Sequence, residues 1–158
     1  MKDRKEEIQM RAPYQVLVIP YKIVDNVPIY CIFKRSDSND WQFIAGGGEM
    51  NESPLEAAKR ETFEESGLVS SKWQELHSIC YLPITVISKK HRNHWDNNTY
   101  VIPEYSFAAS CNKDIVLSKE HRDFKWISYE EAVKMLEWDS NKTALFELNC
   151  LLTNAIDI

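Results

Sequence analysis

The chain has 158 residues, close to the usual length of one domain, and its 44% apolar and 27% charged residues are ordinary for a globular protein. These proportions exclude a disordered, collagen-like or disulfide-dependent chain. Nineteen basic residues against 24 acidic ones leave a net charge of −5, which argues against a nucleic-acid partner because phosphate binding calls for a basic excess. A small anionic ligand stays compatible with this charge, since it needs only a local positive group or a metal.

The N-terminal residues 1–11 alternate in charge and lack the apolar core of a signal peptide. The longest apolar run, residues 16–19, is far below the roughly 18 residues that a membrane-spanning helix needs. We therefore expect a single domain over residues 1–158 that is cytoplasmic, with residues 1–11 as a flexible N-terminal arm and no membrane partner. The four cysteines contain no Cys-x-x-Cys pair and are expected to be reduced. The oligomeric state is left open, a homodimer included.

Two β-rich runs open the chain, over residues 14–23 and 28–34. Asp25 and Asn26 between them are typical turn residues, so the pair predicts a hairpin. Pro20 removes one backbone donor from the first strand. We therefore expect a sheet edge or a bulge at that position.

A helix over residues 54–66 is the clearest predicted element. Ser53 and Glu56 form a Ser-x-x-Glu capping box, and Gly67 stands where a glycine commonly ends a helix. Before this helix, three of the chain's four glycines form a triplet at residues 46–48. Because glycine reaches backbone dihedrals closed to other residues, the triplet predicts a tight, specially shaped turn.

The second half mixes further strands with helices. Strands are expected over residues 73–82, 84–88 and 99–109, a polar loop over 91–98, a short apolar run at 124–127, and helices over 129–137 and 141–155. Strands mixed with three helices predict an α/β domain whose sheet packs against helices.

Three glutamates, Glu61, Glu64 and Glu65, converge on one side of the predicted helix at i, i+3 and i+4 spacing. Each pair of like charges about 6 Å apart costs roughly 3 kcal/mol at an effective dielectric of about 20. Two of them also lie in the last turn, where the helix dipole disfavours anions. A solvated acidic face leaves this placement unexplained, whereas Mg²⁺ or Mn²⁺ would offset the repulsion and prefers oxygen ligands. The face expected to pack on the sheet consists of Leu55, Ala58 and Thr62.

The segment from Gly46 to Gly67, G-x5-E-x7-R-E-T-x-E-E-x-G, resembles the signature box of the Nudix hydrolases. All seven fixed residue types are present at the right spacing, although Thr62 and Asn51 stand where other residue types are frequent. The resemblance implies an α/β/α sandwich with a mixed central sheet. It also implies hydrolysis of a nucleoside diphosphate linked to another group, with a divalent cation as cofactor.

The same resemblance assigns roles within the box. Glu61, or a partner, would help to activate the attacking water, and Glu52 and Arg60 would steady the arrangement through a charge-assisted hydrogen bond. The implied metal ligands are the backbone carbonyl of Ala45 and the carboxylates of Glu61, Glu64 and Glu65.

A weaker resemblance covers most of the chain. The segment E-H-x-x-F-K-W from Glu120 onward, together with Trp41-Gln42 and the segment 138–141, is similar to bacterial dihydroneopterin triphosphate diphosphatases. It implies that Glu120 is an additional metal ligand or base, with a solvated loop residue as the alternative. Candidate substrate-binding residues are Arg35 and Lys125 for phosphate, and Trp95 and Tyr100 for a stacked base or pterin.

These patterns predict a metal-dependent pyrophosphohydrolase that splits a nucleoside triphosphate or dihydroneopterin triphosphate into the monophosphate and pyrophosphate. The first alternative is another phosphoanhydride substrate, such as a dinucleoside polyphosphate, a sugar nucleotide or ADP-ribose. The second is a non-hydrolytic nucleotide sensor, which should lack some of the box carboxylates.

Overall fold

The computed structural model describes residues 10–154. Within this range the strands are β1 (Arg11–Val24), β2 (Val27–Arg35), β3 (Trp41–Gln42), β4 (Ile44–Glu49), β5 (Trp73–Pro83), β6 (Val101–Ser110) and β7 (His121–Ile127). The helices are α1 (Pro54–Ser66), α2 (Lys89–Arg92), α3 (Tyr129–Met135) and α4 (Asp139–Thr153). The N-terminal arm expected over residues 1–11 lies outside the described residues except at its end, where Arg11 already belongs to β1.

One mixed sheet organises these elements. Its main path runs β3-β2-β1-β6-β5, while β4 pairs with β1 and β7 pairs with β2. The β1–β6 pair is parallel and the other pairs are antiparallel. The predicted hairpin is confirmed: Asp25 and Asn26 take left-handed φ values of 51° and 64°, as the two central residues of a tight hairpin turn do.

Helices cover both faces of the sheet because alternate residues of β1 point in opposite directions. On one face Val16 packs with Ala58 of α1. On the other face Leu17 packs with Leu145 of α4, and α3 adds to the same layer. The expected α/β/α sandwich with a mixed central sheet is confirmed. The site described below lies where α1 meets β4 and β1.

Helix α1 has the predicted ends, although its buried face is rotated from the expected one. The hydroxyl of Ser53 accepts the backbone N–H of Glu56 at 3.2 Å, and Gly67 ends the helix with a φ of 69°. Leu55 is exposed rather than packed on the sheet. The buried residues are Ala57, Ala58, Thr62, Glu65 and Ser66. The rotation therefore brings the carboxylate of Glu65 into the protein.

Two further expectations were wrong. Pro20 lies on a central strand, not an edge: it keeps register with Ala109 of β6, and it falls between the end of the β4 ladder at Val18 and the start of the β2 ladder at Tyr21. A missing N–H is tolerated there because β1 changes its antiparallel partner. The strand expected over 84–88 is a 3-10 turn at Ile84–Val86, and α2 occupies the start of the loop expected over 91–98.

Two further features concern the helices and the cysteines of the described residues. No helix in residues 10–154 is long and apolar enough to cross a membrane. All four cysteines are free thiols, and Cys31 and Cys111 are buried.

Replacing the cap Ser53 by alanine should lower the free energy of unfolding by about 1 kcal/mol, because the N–H of Glu56 loses its side-chain acceptor. Urea unfolding of S53A measures this change. The control is S71A, since Ser71 is exposed and caps no helix. Equal destabilisation of both variants would contradict the capping role.

Candidate active site

The glycine triplet provides space rather than a turn. Residues 46–48 belong to strand β4, so the predicted turn at this position is wrong. A Cβ at Gly46 would overlap the carboxylate of Glu61, one at Gly47 the guanidinium of Arg11, and one at Gly48 the ring of Tyr14. Each glycine thus leaves room for one side chain to lie flat on β4.

The turn itself follows the triplet. Asn51 takes a left-handed φ of 69° between β4 and α1. Asparagine accepts this conformation more readily than most residues, which explains how it can stand at a position where glycine is frequent in the box.

The guanidinium of Arg60 ties this turn to the helix. It donates two hydrogen bonds of 2.9 Å to the two carboxylate oxygens of Glu52, and a third of 2.9 Å to the carbonyl of Gly47. Its Nη1 donates to Glu61 at 3.0 Å and to Glu64 at 3.2 Å. The contact expected between Glu52 and Arg60 is therefore present, in the bidentate form that is strongest for this pair.

Glu52 is held as an ionised acceptor. Burial alone would raise its pKa, but hydrogen bonds from Arg60 and from the backbone N–H of Glu49, at 3.0 Å, lower it on balance. The hydroxyl of Tyr14 donates to the backbone carbonyl of Glu52 at 2.6 Å. Tyr14 over Gly48 therefore fixes the turn from the β1 side, a contact that the sequence analysis missed.

Glu61 and Glu65 lie in surroundings that oppose ionisation. Burial raises the pKa of Glu61 to about 7, against the opposing effect of Arg60. Burial and the neighbouring carboxyl group of Glu120 raise the pKa of Glu65 to about 10. Glu65 is 2% exposed, and within residues 10–154 both of its carboxylate oxygens have no hydrogen-bond partner of ordinary geometry. A bound cation would therefore stabilise the ionised form of both carboxylates.

A loop brings Glu120 to this helix. The backbone N–H groups of Val116 and Ser118 donate to the carbonyls of Ser66 and Glu65 at 2.9 and 3.3 Å, so the loop follows the end of α1. The N–H of Ser36 holds the carbonyl of Glu120 at 2.9 Å. The carboxyl group of Glu120 thereby comes within reach of Glu65, although the two residues are far apart in sequence.

His121 is a neighbour of Glu65 whose contact the sequence analysis missed. It is 4% exposed, lies 5.3 Å from the ring of Phe33, and places Nδ1 at 3.9 Å from the Oε2 of Glu65. Burial lowers the pKa of His121, so the ring is a neutral wall behind the carboxylate.

The donor set fits a hard divalent cation. Glu61, Glu65 and Glu120 supply oxygen atoms, and Glu65 contributes two buried oxygens without a protein partner. Glu64 is more than half exposed and points toward Arg60. Within residues 10–154 no three carboxylate, imidazole or thiol groups already converge as a metal-binding cluster. The carboxylates around Glu65 therefore have the right chemistry, and Glu64 would have to leave Arg60 to join them.

A pocket of about 540 Å³ opens beside this acidic cluster. Ala45, the neighbour of Gly46, lines it, as do Gln15 of β1 and Glu104 of β6. Gln15 and Glu104 were not singled out in the sequence. A lone carboxylate inside the predicted strand 99–109 is the signal that could have found Glu104.

The four residues expected to bind substrate lie in different places. Arg35 lines the pocket and pairs with Asp37 through two contacts of 2.7 Å. Trp95 does not line it, and its indole N–H donates to the carbonyl of Arg11 at 2.8 Å. Tyr100 is 69% exposed, and Lys125 lies over the ring of Trp41 at 5.4 Å, both outside the pocket.

The NUDIX domain model matches residues 25–148 of this chain. The chain belongs to the NUDIX family and is a hydrolase that acts on phosphoanhydrides. This is the family that the box at residues 46–67 resembles.

Individual relatives differ in their substrates. Over 140 residues the chain is 28% identical to a dihydroneopterin triphosphate diphosphatase of Haemophilus influenzae, covering 87% of this chain and 88% of that protein. Over 130 residues it is 26% identical to an asymmetrical bis(5'-nucleosyl)-tetraphosphatase of Sus scrofa, covering 78% and 81%. A NUDIX hydrolase structure from Listeria monocytogenes is 43% identical with a TM-score of 0.79, covering 90% of this chain and 96% of the other.

The metal-free protein should lose stability as the pH rises. The unfolded chain releases the proton of Glu65 near pH 4.5, whereas the folded protein keeps it to about pH 10. The folded state binds more protons between these values, so its free energy of unfolding falls with rising pH across that window. E65Q should reduce this slope, because glutamine carries no titrating proton.

Urea unfolding at pH 5, 7 and 9 in a chelating buffer measures the slope. The matched control is E75Q, since Glu75 is exposed on β5. The same pH dependence in E65Q and the wild type would contradict the environment described for Glu65.

Proposed function

We propose that this hydrolase is a metal-dependent pyrophosphohydrolase that cleaves a nucleoside triphosphate or dihydroneopterin triphosphate to the monophosphate and pyrophosphate. The observation that carries the proposal is the buried, unpartnered carboxylate of Glu65 beside Glu61 and Glu120, at the edge of an open pocket. Carboxylates in this state are suited to a divalent cation, and a cation there would face a phosphate chain whose organic end occupies the pocket.

Glu61, Glu64, Glu65 and Glu120, with the backbone carbonyl of Ala45, are the proposed ligands of Mg²⁺ or Mn²⁺. When bound, such a cation supplies Lewis-acid polarisation of phosphate and a lowered pKa of the attacking water. The cation would also compensate the burial that raises the pKa values of Glu61 and Glu65.

The chain's own groups position these carboxylates. Arg60 holds the Oε1 of Glu61 at 3.0 Å, which leaves Oε2 as the atom that could accept a proton from water. Glu52 holds Arg60 in turn, so both act as positioning residues. Gly46 leaves space for Glu61 against the strand, because any side chain at residue 46 would displace the carboxylate.

Likeness to the Haemophilus influenzae dihydroneopterin triphosphate diphosphatase supports the triphosphate substrate, since it extends over most of both chains. Likeness to the Sus scrofa asymmetrical bis(5'-nucleosyl)-tetraphosphatase keeps a dinucleoside polyphosphate as a second candidate. A sensor without hydrolytic activity fits less well, because every acidic position of the box is filled.

Product analysis tests the proposal. The purified protein with Mg²⁺ is incubated with nucleoside triphosphates, dihydroneopterin triphosphate, a dinucleoside tetraphosphate, a sugar nucleotide and ADP-ribose. We expect pyrophosphate and a monophosphate from the triphosphates. Cleavage of the tetraphosphate into two nucleotides with different numbers of phosphates, without pyrophosphate from any triphosphate, would favour the dinucleoside polyphosphate as substrate. It would overturn the triphosphate as substrate.

Replacing Glu64 or Glu65 by glutamine should lower Mg²⁺-dependent turnover on the order of 100-fold, because each change removes a proposed ligand charge. The metal-free fold should be as stable as the wild type or more so, since glutamine carries no charge to be buried beside the other box carboxylates. Steady-state kinetics and urea unfolding measure the two effects, with E75Q as the control. Wild-type turnover in both variants would remove the catalytic assignment.

Replacing Glu120 by glutamine should slow turnover on the order of tenfold, because the change removes the charge of a proposed ligand contributed by a loop. The matched control on the same loop is D114N, because Asp114 is exposed. Kinetics at several Mg²⁺ concentrations distinguish weaker cation binding from a slower reaction at saturating Mg²⁺. If E120Q and D114N both behave as wild type, Glu120 is a solvated loop residue.

A further inference from the structure

The pocket beside the acidic cluster is built from distant parts of the chain. Gln15 comes from β1, Gln42 from β3, Glu104 from β6, and Trp138 and Asn141 from the start of α4. Trp138 is 51% exposed, and together with Leu82 and Val86 it gives the pocket apolar as well as polar walls. This mixture is typical of a site for a flat heterocycle with a polar edge.

Glu104 is the unexplained group in this pocket. It is 4% exposed, and its Oε2 accepts one hydrogen bond, from the Nε2 of Gln15 at 2.6 Å. Within residues 10–154 its Oε1 has no hydrogen-bond partner of ordinary geometry. The hydroxyl of Ser140 is the second side-chain donor within reach of Glu104. A carboxylate has about four acceptor positions, so these two donors leave about two positions unfilled.

Asn141, another amide of the pocket, is already oriented. The Oδ1 of Asn141 accepts the backbone N–H of Phe43 at 2.9 Å, and the Nδ2 of Asn141 donates to the hydroxyl of Ser140 at 3.2 Å. Asn141 therefore fixes the pocket wall and is not free to turn toward Glu104. The acceptor positions of Glu104 that Gln15 and Ser140 leave unfilled are available to donors of a ligand.

We propose that Glu104 is the specificity-determining residue of the substrate pocket and that it binds the amino-lactam edge of a guanine or pterin ring. This edge presents a ring N–H and an exocyclic NH₂ side by side, which matches the two oxygens of one carboxylate. An adenine ring presents an amino group next to a ring nitrogen without hydrogen. That nitrogen would face a carboxylate oxygen and repel it.

The inference rests on the proposed function and narrows its substrate class. Ala45 lines the pocket, and the next residue, Gly46, lies against Glu61. A ring held at Glu104 would therefore extend its phosphate chain toward the carboxylates of α1. One ligand could then contact both parts of the site.

Binding of the nucleoside monophosphates GMP, IMP and AMP in a chelating buffer tests the inference without hydrolysis. IMP keeps the ring N–H of GMP but lacks the amino group. The fluorescence of Trp138 and the other tryptophans follows binding. We expect the wild type to bind GMP at least about tenfold more tightly than IMP or AMP, as for loss of one hydrogen bond to a charged group.

In E104Q the preference for GMP over IMP should fall to within about twofold, because the amide presents one donor and one acceptor. The matched control is E137Q, whose carboxylate is exposed next to Trp138 and does not line the pocket. E137Q should keep the wild-type ratio. Should E104Q fail to fold, the affinities of the wild type for GMP, IMP and AMP alone decide whether Glu104 has this role.

The outcomes separate the two proposals. Equal affinities for the three monophosphates in the wild type, or an unchanged ratio in folded E104Q, overturn the role of Glu104 even if pyrophosphate is released. Absence of pyrophosphate release with every triphosphate overturns the proposed function even if GMP is preferred. A preference for AMP in the wild type also overturns the role of Glu104.

Discussion

The bidentate contact between Arg60 and Glu52 is the interaction on which the rest of the site depends. Arg60 joins the turn after β4, the carbonyl of Gly47 and two carboxylates of its own helix at one point. Because the guanidinium is planar and its donors are fixed, α1 cannot turn about its axis without breaking several of these contacts at once. The orientation that results buries Glu65 and leaves Leu55 outside.

This orientation of α1 buries carboxylates whose burial does not stabilise the fold. Glu61 and Glu65 would be more stable in water than against the sheet, as their raised pKa values indicate. The two apolar layers of the sandwich and the well-capped helix offset this cost. Stability therefore comes from the apolar layers and the capped ends of α1, while the carboxylates of the site remain electrostatically strained.

Local patterns predicted the local structure well. The hairpin and both ends of α1 follow from residues close together in sequence, and the contact of Glu52 with Arg60 was implied by the resemblance to the Nudix box. Two of the errors concern groups that meet across strands. The need for glycine at residues 46–48 depends on side chains from β1 and α1, and the tolerance of Pro20 depends on which strand lies beside it. Gln15 and Glu104 meet over 89 residues of chain, a distance that no motif spans.

The reacting groups and the pocket have different origins along the chain. Residues 46–67 contribute the box carboxylates as one continuous stretch, whereas the pocket draws its wall from strands β1 to β6 and the start of a late helix. Changes in the wall can accumulate one at a time without disturbing the continuous stretch. Proteins with this architecture can thus come to select different rings while they keep the same catalytic residues. Similarity between two of them is therefore a better guide to the type of reaction than to the substrate.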